Sequence, residues 1–391
     1  MKILVVAHES EFIGGANRSL YAILKYWKDN TELEFEVLLP SANGSLIDEL
    51  QAIGVKCHFV KYYKIFSEAR KEPIDILRKI RVNYRFLYNK KAARVFSQKI
   101  RNAGFQLVYS NTRMTTMGAC IAKELGIPHV IHIREFGNEN TIWGLANIEW
   151  INDNASRIIV ISQALKDYLV NSVSEEKFVI SYNGIQYSHD VNITSHKKTT
   201  TNILLTGRIT ASKAQDEAVH AAKILCDRGY KNFVIHFAGS VAEGSRYENE
   251  YLINLKKLIS DSGLESKVRF HGEVKDMKTL REQMDIELMC SLKETFGRVT
   301  VEAMRSGLLV VGGNTGATPE IIDDGTTGLI YRQGDPEDLA EKIIWAINNP
   351  EETLKIKINA RIFANKNFTV EENASEVLKV LADVCNKENK F

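Results

Sequence analysis

IELMCSLKETFGRVTVEAMRSGLLVVGGN, residues 286–314, decides the fold. IELMCS (286–291) is a short apolar run of strand character. Gly297 opens a segment of helical character that closes at Gly307, and LLVVGGN (308–314) is a second apolar run. Strand, loop, helix and strand in about thirty residues describe a βαβ unit, whose two strands lie parallel in one sheet.

The same alternation runs along most of the chain. Upstream it passes through KILVVAH (2–8), FEVLLP (35–40), KCHFV (56–60), LVYSN (107–111), HVIHI (129–133), RIIVIS (157–162) and KFVISYNG (177–184). SHDVNITSHKKTTTN (188–202) is polar and aperiodic, which marks a linker. The alternation then restarts with NILLTGRI (202–209), NFVIHFAG (232–239) and KVRFHG (267–272) and leads into the opening stretch. This predicts an α/β protein of two Rossmann-like doubly wound domains, spanning 1–187 and 202–368 about a linker at 188–201. Two amphipathic helices are expected near the end, over 335–350 and 370–385, and the terminal segment 369–391 would pack back on the first domain. Ligands of such sheets sit at the carboxyl ends of the strands, so two domains facing each other would enclose a cleft lined by loops.

Composition narrows the class. The 391 residues are 44% hydrophobic and 26% charged, as in globular proteins, and a net charge of +2 gives no general reason to bind nucleic acid. Five scattered cysteines without a C-x-x-C spacing argue against a disulfide framework or zinc site and for reduced thiols in a cytoplasmic protein. The apolar run in MKILVVAHESEF is too short for a signal peptide, and no run of about 18 apolar residues exists to span a membrane.

Glu294 and Glu302 flank the helix start at Gly297. A glycine there lets the backbone approach a ligand, and the free N–H groups of Gly297 and Val299 suit a phosphate. Each carboxylate would accept hydrogen bonds from a pair of sugar hydroxyls. Taken alone, the spacing is more readily two solvated charges. The neighbouring residues change that balance. E-x-F-G-x-x-x-x-E-A-M-x-x-G resembles the signature of retaining glycosyltransferases of the GT-B fold, glycosyltransferase family 4 (glycosyl transferases group 1). VVGGNTGATPEIIDDGTTGLIY (310–331), LLTGRITASKAQD (204–216), FHGEV (270–274) and SYNGI (181–185) are similar to further family segments.

The resemblance implies roles. Arg208 and Lys213, following Gly207, would neutralise the diphosphate of a nucleotide sugar and stabilise it as it leaves. Glu294 would hold the transferred sugar, helped by backbone at Phe296 and Gly297, and Glu302 would hold the ribose. Gly272 to Val274 would lie against the base, and Gly14-Gly15 would close over the diphosphate and the acceptor. With Lys213, Arg208 and Glu294 as the catalytic set, no cofactor is expected, and the lack of an Asp-x-Asp motif implies no metal. In HVIHIREFGNENT (129–141) the position of the family's sugar-contacting histidine falls on Arg134, two residues after His132. Arg134 and Glu135, backed by His132, would contact acceptor or sugar; the competing reading is an internal ion pair beside a core histidine. Asn111 and Ser162 would line the cleft or cap helices.

The activity implied is retaining transfer of a hexosyl unit from a UDP- or GDP-sugar to a hydroxyl of a glycan or lipid-linked glycan. A non-catalytic nucleotide-sugar or glycan-binding protein, or an epimerase of the same fold, is the alternative. Residues 61–101 carry thirteen Lys or Arg against three acidic residues, with aromatics interleaved. A helix there, with cations on one face and apolar side chains on another, would lie on an anionic membrane surface and make the protein peripheral at the inner face. Nucleic acid is not the expected partner, and a solvated helix face is the plainer alternative.

Overall fold

The computed structural model describes residues 1–12, 14–68, 74–137, 141–186 and 199–388. The chain divides into two compact units, Met1–Gln186 with Thr369–Phe391 and Tyr187–Phe368. Residues 188–198 of the expected linker lie outside the described residues, and Thr201, assigned to it, already stands in a strand.

The first unit holds a seven-stranded parallel sheet: β1 (Lys2–Val6), β2 (Glu34–Leu39), β3 (Lys56–Phe59), β4 (Leu107–Ser110), β5 (His129–Ile133), β6 (Arg157–Val160) and β7 (Phe178–Ile180). Their order is β3-β2-β1-β4-β5-β6-β7. Side chains alternate across a strand, so β1 feeds two cores. Ile3 and Val5 meet Leu20, Leu24 and Trp27 of the helix Gly14–Asn30 together with Ala374, Val377 and Leu381 of the last helix, Val370–Glu388. Leu4 and Val6 meet Ala93, Phe96 and Ile100 of the helix Ile74–Ile100 on the other face. A parallel sheet needs both faces covered, and each fully buried aliphatic side chain contributes about 1.5–3 kcal/mol towards holding the layers together. The Trp27 indole donates to the Ala374 carbonyl at 2.8 Å, which fixes the last helix against this unit.

The second unit holds six parallel strands: β8 (Thr201–Thr206), β9 (Phe233–Ala238), β10 (Val268–Gly272), β11 (Ile286–Met289), β12 (Leu309–Gly313) and β13 (Leu329–Tyr331), in the order β10-β9-β8-β11-β12-β13. The helix expected from Gly297 to Gly307 runs Arg298–Arg305, with both glycines in the left-handed region at its ends. A glycine tolerates that backbone without the Cβ clash other residues meet, so it starts and stops the helix cleanly. Two helices over Pro336–Asn348 and Pro350–Asn367 follow β13.

One buried histidine sets a pH dependence for the first unit. His129 donates from Nδ1 to the Asn154 carbonyl and accepts at Nε2 from the Ser110 hydroxyl, both at 2.9 Å, and burial pushes its pKa down to about 4. Above about pH 6.5 the imidazole is neutral folded and unfolded; below it the unfolded chain takes the proton first, so stability falls as pH drops. Between pH 6.5 and 5 this costs about 2 kcal/mol. Denaturant titrations should show a steeper acid loss in the native chain than in His129→Gln, by one proton. Equal slopes would show that His129 is not held neutral.

Candidate active site

In an open parallel sheet the ligand crevice opens where neighbouring strands run to opposite sides. In the second unit that point lies between β8 and β11. Beside it, where β8 and β9 end, the backbones are close: the Gly207 N–H donates to the Ala238 carbonyl at 2.9 Å, and a Cβ on Gly239 would stand 1.9 Å from the Gly207 carbonyl oxygen. Only glycine fits at 239. The loop after β8 turns through Ala211–Lys213 and Ala214, whose φ of 47° makes it a non-glycine residue in the left-handed region, at a cost of about 1–2 kcal/mol. That turn aims Lys213 across to the loop after β11.

Lys213 Nζ donates to Glu294 Oε2 at 2.7 Å and to Ser291 Oγ at 3.1 Å. Both ionic side chains are partly exposed, so the pair is reachable by a ligand. Glu294 is fixed through its backbone: its carbonyl accepts from the Ala317 N–H at 2.8 Å, and a Cβ on Gly316 would come within 2.3 Å of the same oxygen. Leu292 N–H donates to the Ser212 carbonyl at 3.0 Å and ties the two loops together. Three loops therefore converge on one cation, one carboxylate and one hydroxyl, next to the helix start at Gly297. Phe296 turns its ring into the core against Phe368, 5.6 Å between centroids, so only its backbone is available to a ligand. Val299 is half-buried in the first turn, and the Thr300 hydroxyl beside Gly297 is buried without a partner among the described residues.

Arg208 and Glu302 stand in different surroundings. Arg208 is exposed and reaches the buried Glu248 carboxylate at 3.3 Å, while its carbonyl accepts from Gln215 Nε2 at 2.8 Å. Glu302 accepts from Arg281 Nη1 at 3.1 Å and lies 3.8 Å from Arg298. Arg281 is buried and also holds the buried Glu287 at 2.9 Å. A carboxylate offers about four lone-pair sites, so Glu302 retains acceptor capacity for a ligand. Gly272 ends β10 with a positive φ and receives the Gly239 N–H at 2.7 Å; Val274 is half-buried two residues on. Behind the crevice, Glu217 accepts from the Gly334 N–H at 2.6 Å and the Tyr331 hydroxyl at 3.1 Å, and burial raises its pKa. Gln333 links this cluster to the Cys290 carbonyl at 3.1 Å and so braces the end of β11.

In the first unit the corresponding point lies between β1 and β4. Gly14 and Gly15 are exposed at the start of the helix Gly14–Asn30. Asn111, His132 and Arg134 form one buried network. Arg134 Nε donates to Asn111 Oδ1 at 2.9 Å, Nη1 to Asn183 Oδ1, and Nη2 to His132 Nδ1 at 3.1 Å; the Tyr109 hydroxyl shares that ring nitrogen at 2.8 Å. A guanidinium only donates, so Nδ1 must be the bare nitrogen of a neutral ring. Burial and the Arg134 charge hold the His132 pKa well below its usual value. Glu135 points elsewhere and accepts the backbone N–H groups of Arg113 at 3.0 Å and of Arg134 at 3.1 Å; burial raises its pKa. The direct partners of Arg134 are thus neutral groups, in place of the ion pair that the internal reading expected. Ser162 caps the helix Gln163–Leu169 through the Leu165 N–H.

The lysine, carboxylate, hydroxyl and helix start bring together groups able to hold a phosphate and sugar hydroxyls, on a two-Rossmann scaffold. Two family models match: Glycosyltransferase Family 4 over residues 13–189 and Glycosyl transferases group 1 over residues 188–363. The chain belongs to these glycosyltransferases and has the GT-B fold. It is similar along 99% of both chains to an uncharacterized glycosyltransferase of Methanocaldococcus jannaschii at 24% identity. The capsular polysaccharide biosynthesis glycosyltransferase CapM of Staphylococcus aureus is 26% identical over 55% of this chain and 58% of CapM. Among solved structures, HepE of Anabaena in complex with UDP superposes with a TM-score of 0.78 at 22% identity, covering 98% of this chain and all of HepE.

Proposed function

We propose that this glycosyltransferase moves a hexosyl unit from a nucleotide-diphosphate sugar, UDP- or GDP-linked, to a hydroxyl of a glycan or lipid-linked glycan in surface polysaccharide or glycoconjugate synthesis, with retention of configuration. The convergence of Lys213, Ser291 and Glu294 beside a helix N-terminus carries this reading. CapM's part in capsule synthesis and the UDP held by HepE agree with it.

In this scheme the bond from the sugar's C1 to the diphosphate oxygen breaks, the acceptor oxygen attacks C1 on the same face, and its proton passes to the departing phosphate. Lys213, Arg208 and the N–H groups from Gly297 to Val299 stabilise the charge that builds on that phosphate, without a metal ion. Glu294 grips sugar hydroxyls, Glu302 the ribose, and the backbone at Gly272 and Val274 the base. The acceptor lies near Arg134 and Glu135, with Asn111 and His132 holding Arg134 in place. The enzyme would act in the cytoplasm, peripheral at the inner face of the membrane.

A thermal-shift panel of UDP-, GDP- and ADP-sugars tests the donor. A sugar nucleotide at 100 times its Kd stabilises the folded chain by about 2.7 kcal/mol, a rise of roughly 5 °C or more for a unit of this size. The same donor should be hydrolysed slowly to free nucleoside diphosphate without acceptor. If none is bound or turned over, the transferase reading fails.

A further inference from the structure

The helix Ile74–Ile100 has two apolar faces, where the sequence suggested one apolar and one cationic. Val82, Ala93, Phe96 and Ile100 are buried on the inner face. Leu77, Ile80, Tyr84 and Leu87 are 57–67% exposed, and Ile76 is 55% exposed. At 3.6 residues per turn these five fall on one stripe about 100° wide, opposite the buried face. Exposed Arg81 borders the stripe on one side, exposed Lys79 and Lys90 on the other, and exposed Lys91 and Arg94 continue it towards the C-terminus. The helix carries eight Lys or Arg and one acidic residue, Asp75.

We propose that this outward face docks on an anionic lipid leaflet. It specifies the membrane attachment proposed above and is independent of the transfer chemistry. The stripe would enter the boundary between headgroups and acyl chains while the flanking cations meet lipid phosphates, the arrangement of a helix lying in an interface. A nucleic acid would use the cations and leave five aliphatic and aromatic side chains unmatched. A second copy of the same face would set five cations against five.

The full-length protein, mixed with phosphatidylcholine vesicles with and without phosphatidylglycerol, should float with the anionic vesicles and be released by salt, since the Debye length shortens to about 3 Å at 1 M. Leu77→Glu with Ile80→Glu should lower the bound-to-free ratio at least ~10-fold. Arg81→Glu with Lys90→Glu should do so on anionic vesicles. Ile362→Glu, at an equally exposed apolar position in the other unit, should bind as the native chain does. All these sites are solvent-facing, so the variants should fold and hydrolyse donor as before; a loss of hydrolysis alone would concern the transferase reading. Absent native binding to anionic vesicles, or unchanged binding in Leu77→Glu with Ile80→Glu, would overturn the proposal. So would a native dimer that the same pair of substitutions dissociates, since it would assign the face to a second copy.

Discussion

Lys213→Ala should lower turnover at least ~100-fold, the scale for removing one group that stabilises developing charge. The Lys213 ammonium is neutralised by Glu294 and bonded to Ser291. A diphosphate bound as proposed would compete for it, and the competition would sharpen as the glycosidic bond breaks and charge gathers on the bridging oxygen. Without the lysine, Glu294 becomes an unneutralised carboxylate facing an anion, so the loss contains a repulsive part as well as a missing attraction. The effect should fall on kcat more than on KM, because the interaction strengthens in the transition state. Lys213→Arg keeps the charge, but its planar fork does not reproduce a single Nζ placed between Ser291 and Glu294, so an intermediate loss is expected. Arg208→Ala should cost less, since Arg208 is largely exposed and tied to Glu248. The measurement is kcat and KM for each variant with the donor identified by thermal shift. Near-normal kcat in Lys213→Ala would sink the assignment of this loop.

How far the sequence could carry these conclusions differs from residue to residue. HVIHI coincides with β5 because a short, continuous apolar run buried on both faces has few other uses. β13 escaped because LIY is three residues long and sits inside a turn-rich stretch. The helix Pro350–Asn367 is hard to separate in the sequence, as only Asn349 divides it from the helix before. At the site, Lys213 and Glu294 are legible through the resemblance of their loops to family segments, since taken alone they read as solvated charges. Their contact is not, because it spans 81 positions and depends on how β8 and β11 become neighbours. Arg134 shows the opposite case: its register was legible, but the neutral partners that bury it come from three separate strand ends. The outward stripe on Ile74–Ile100 was half legible. Periodicity reports an apolar face, and only packing shows which face meets the core.

Glu287 is a signal in the sequence itself. A charged residue inside the apolar run IELMCS must have a partner once the strand is buried, and its partner is Arg281. Arg281→Ala is therefore expected to destabilise the second unit by about 3–5 kcal/mol, the range for leaving a buried charge unpaired. Burial works against the Arg281 charge, but Glu287 and Glu302 outweigh it and hold the guanidinium's pKa above its usual value. Removing it strands Glu287, which is 1% exposed, between β8 and β12. Glu302→Ala leaves the Arg281–Glu287 pair intact and removes a partly exposed partner, so its stability cost should be nearer 1 kcal/mol. Its main effect should be weaker binding of the donor, through the lost ribose contact. Denaturant unfolding followed by fluorescence, paired with donor titration, separates the two. If Arg281→Ala unfolds as the native chain does, the buried pair does not hold the strand. If Glu302→Ala binds donor normally, Glu302 serves only to neutralise Arg281. A structural partner and a ribose ligand demand the same carboxylate at the same place, and only the contrast between these two variants divides the roles.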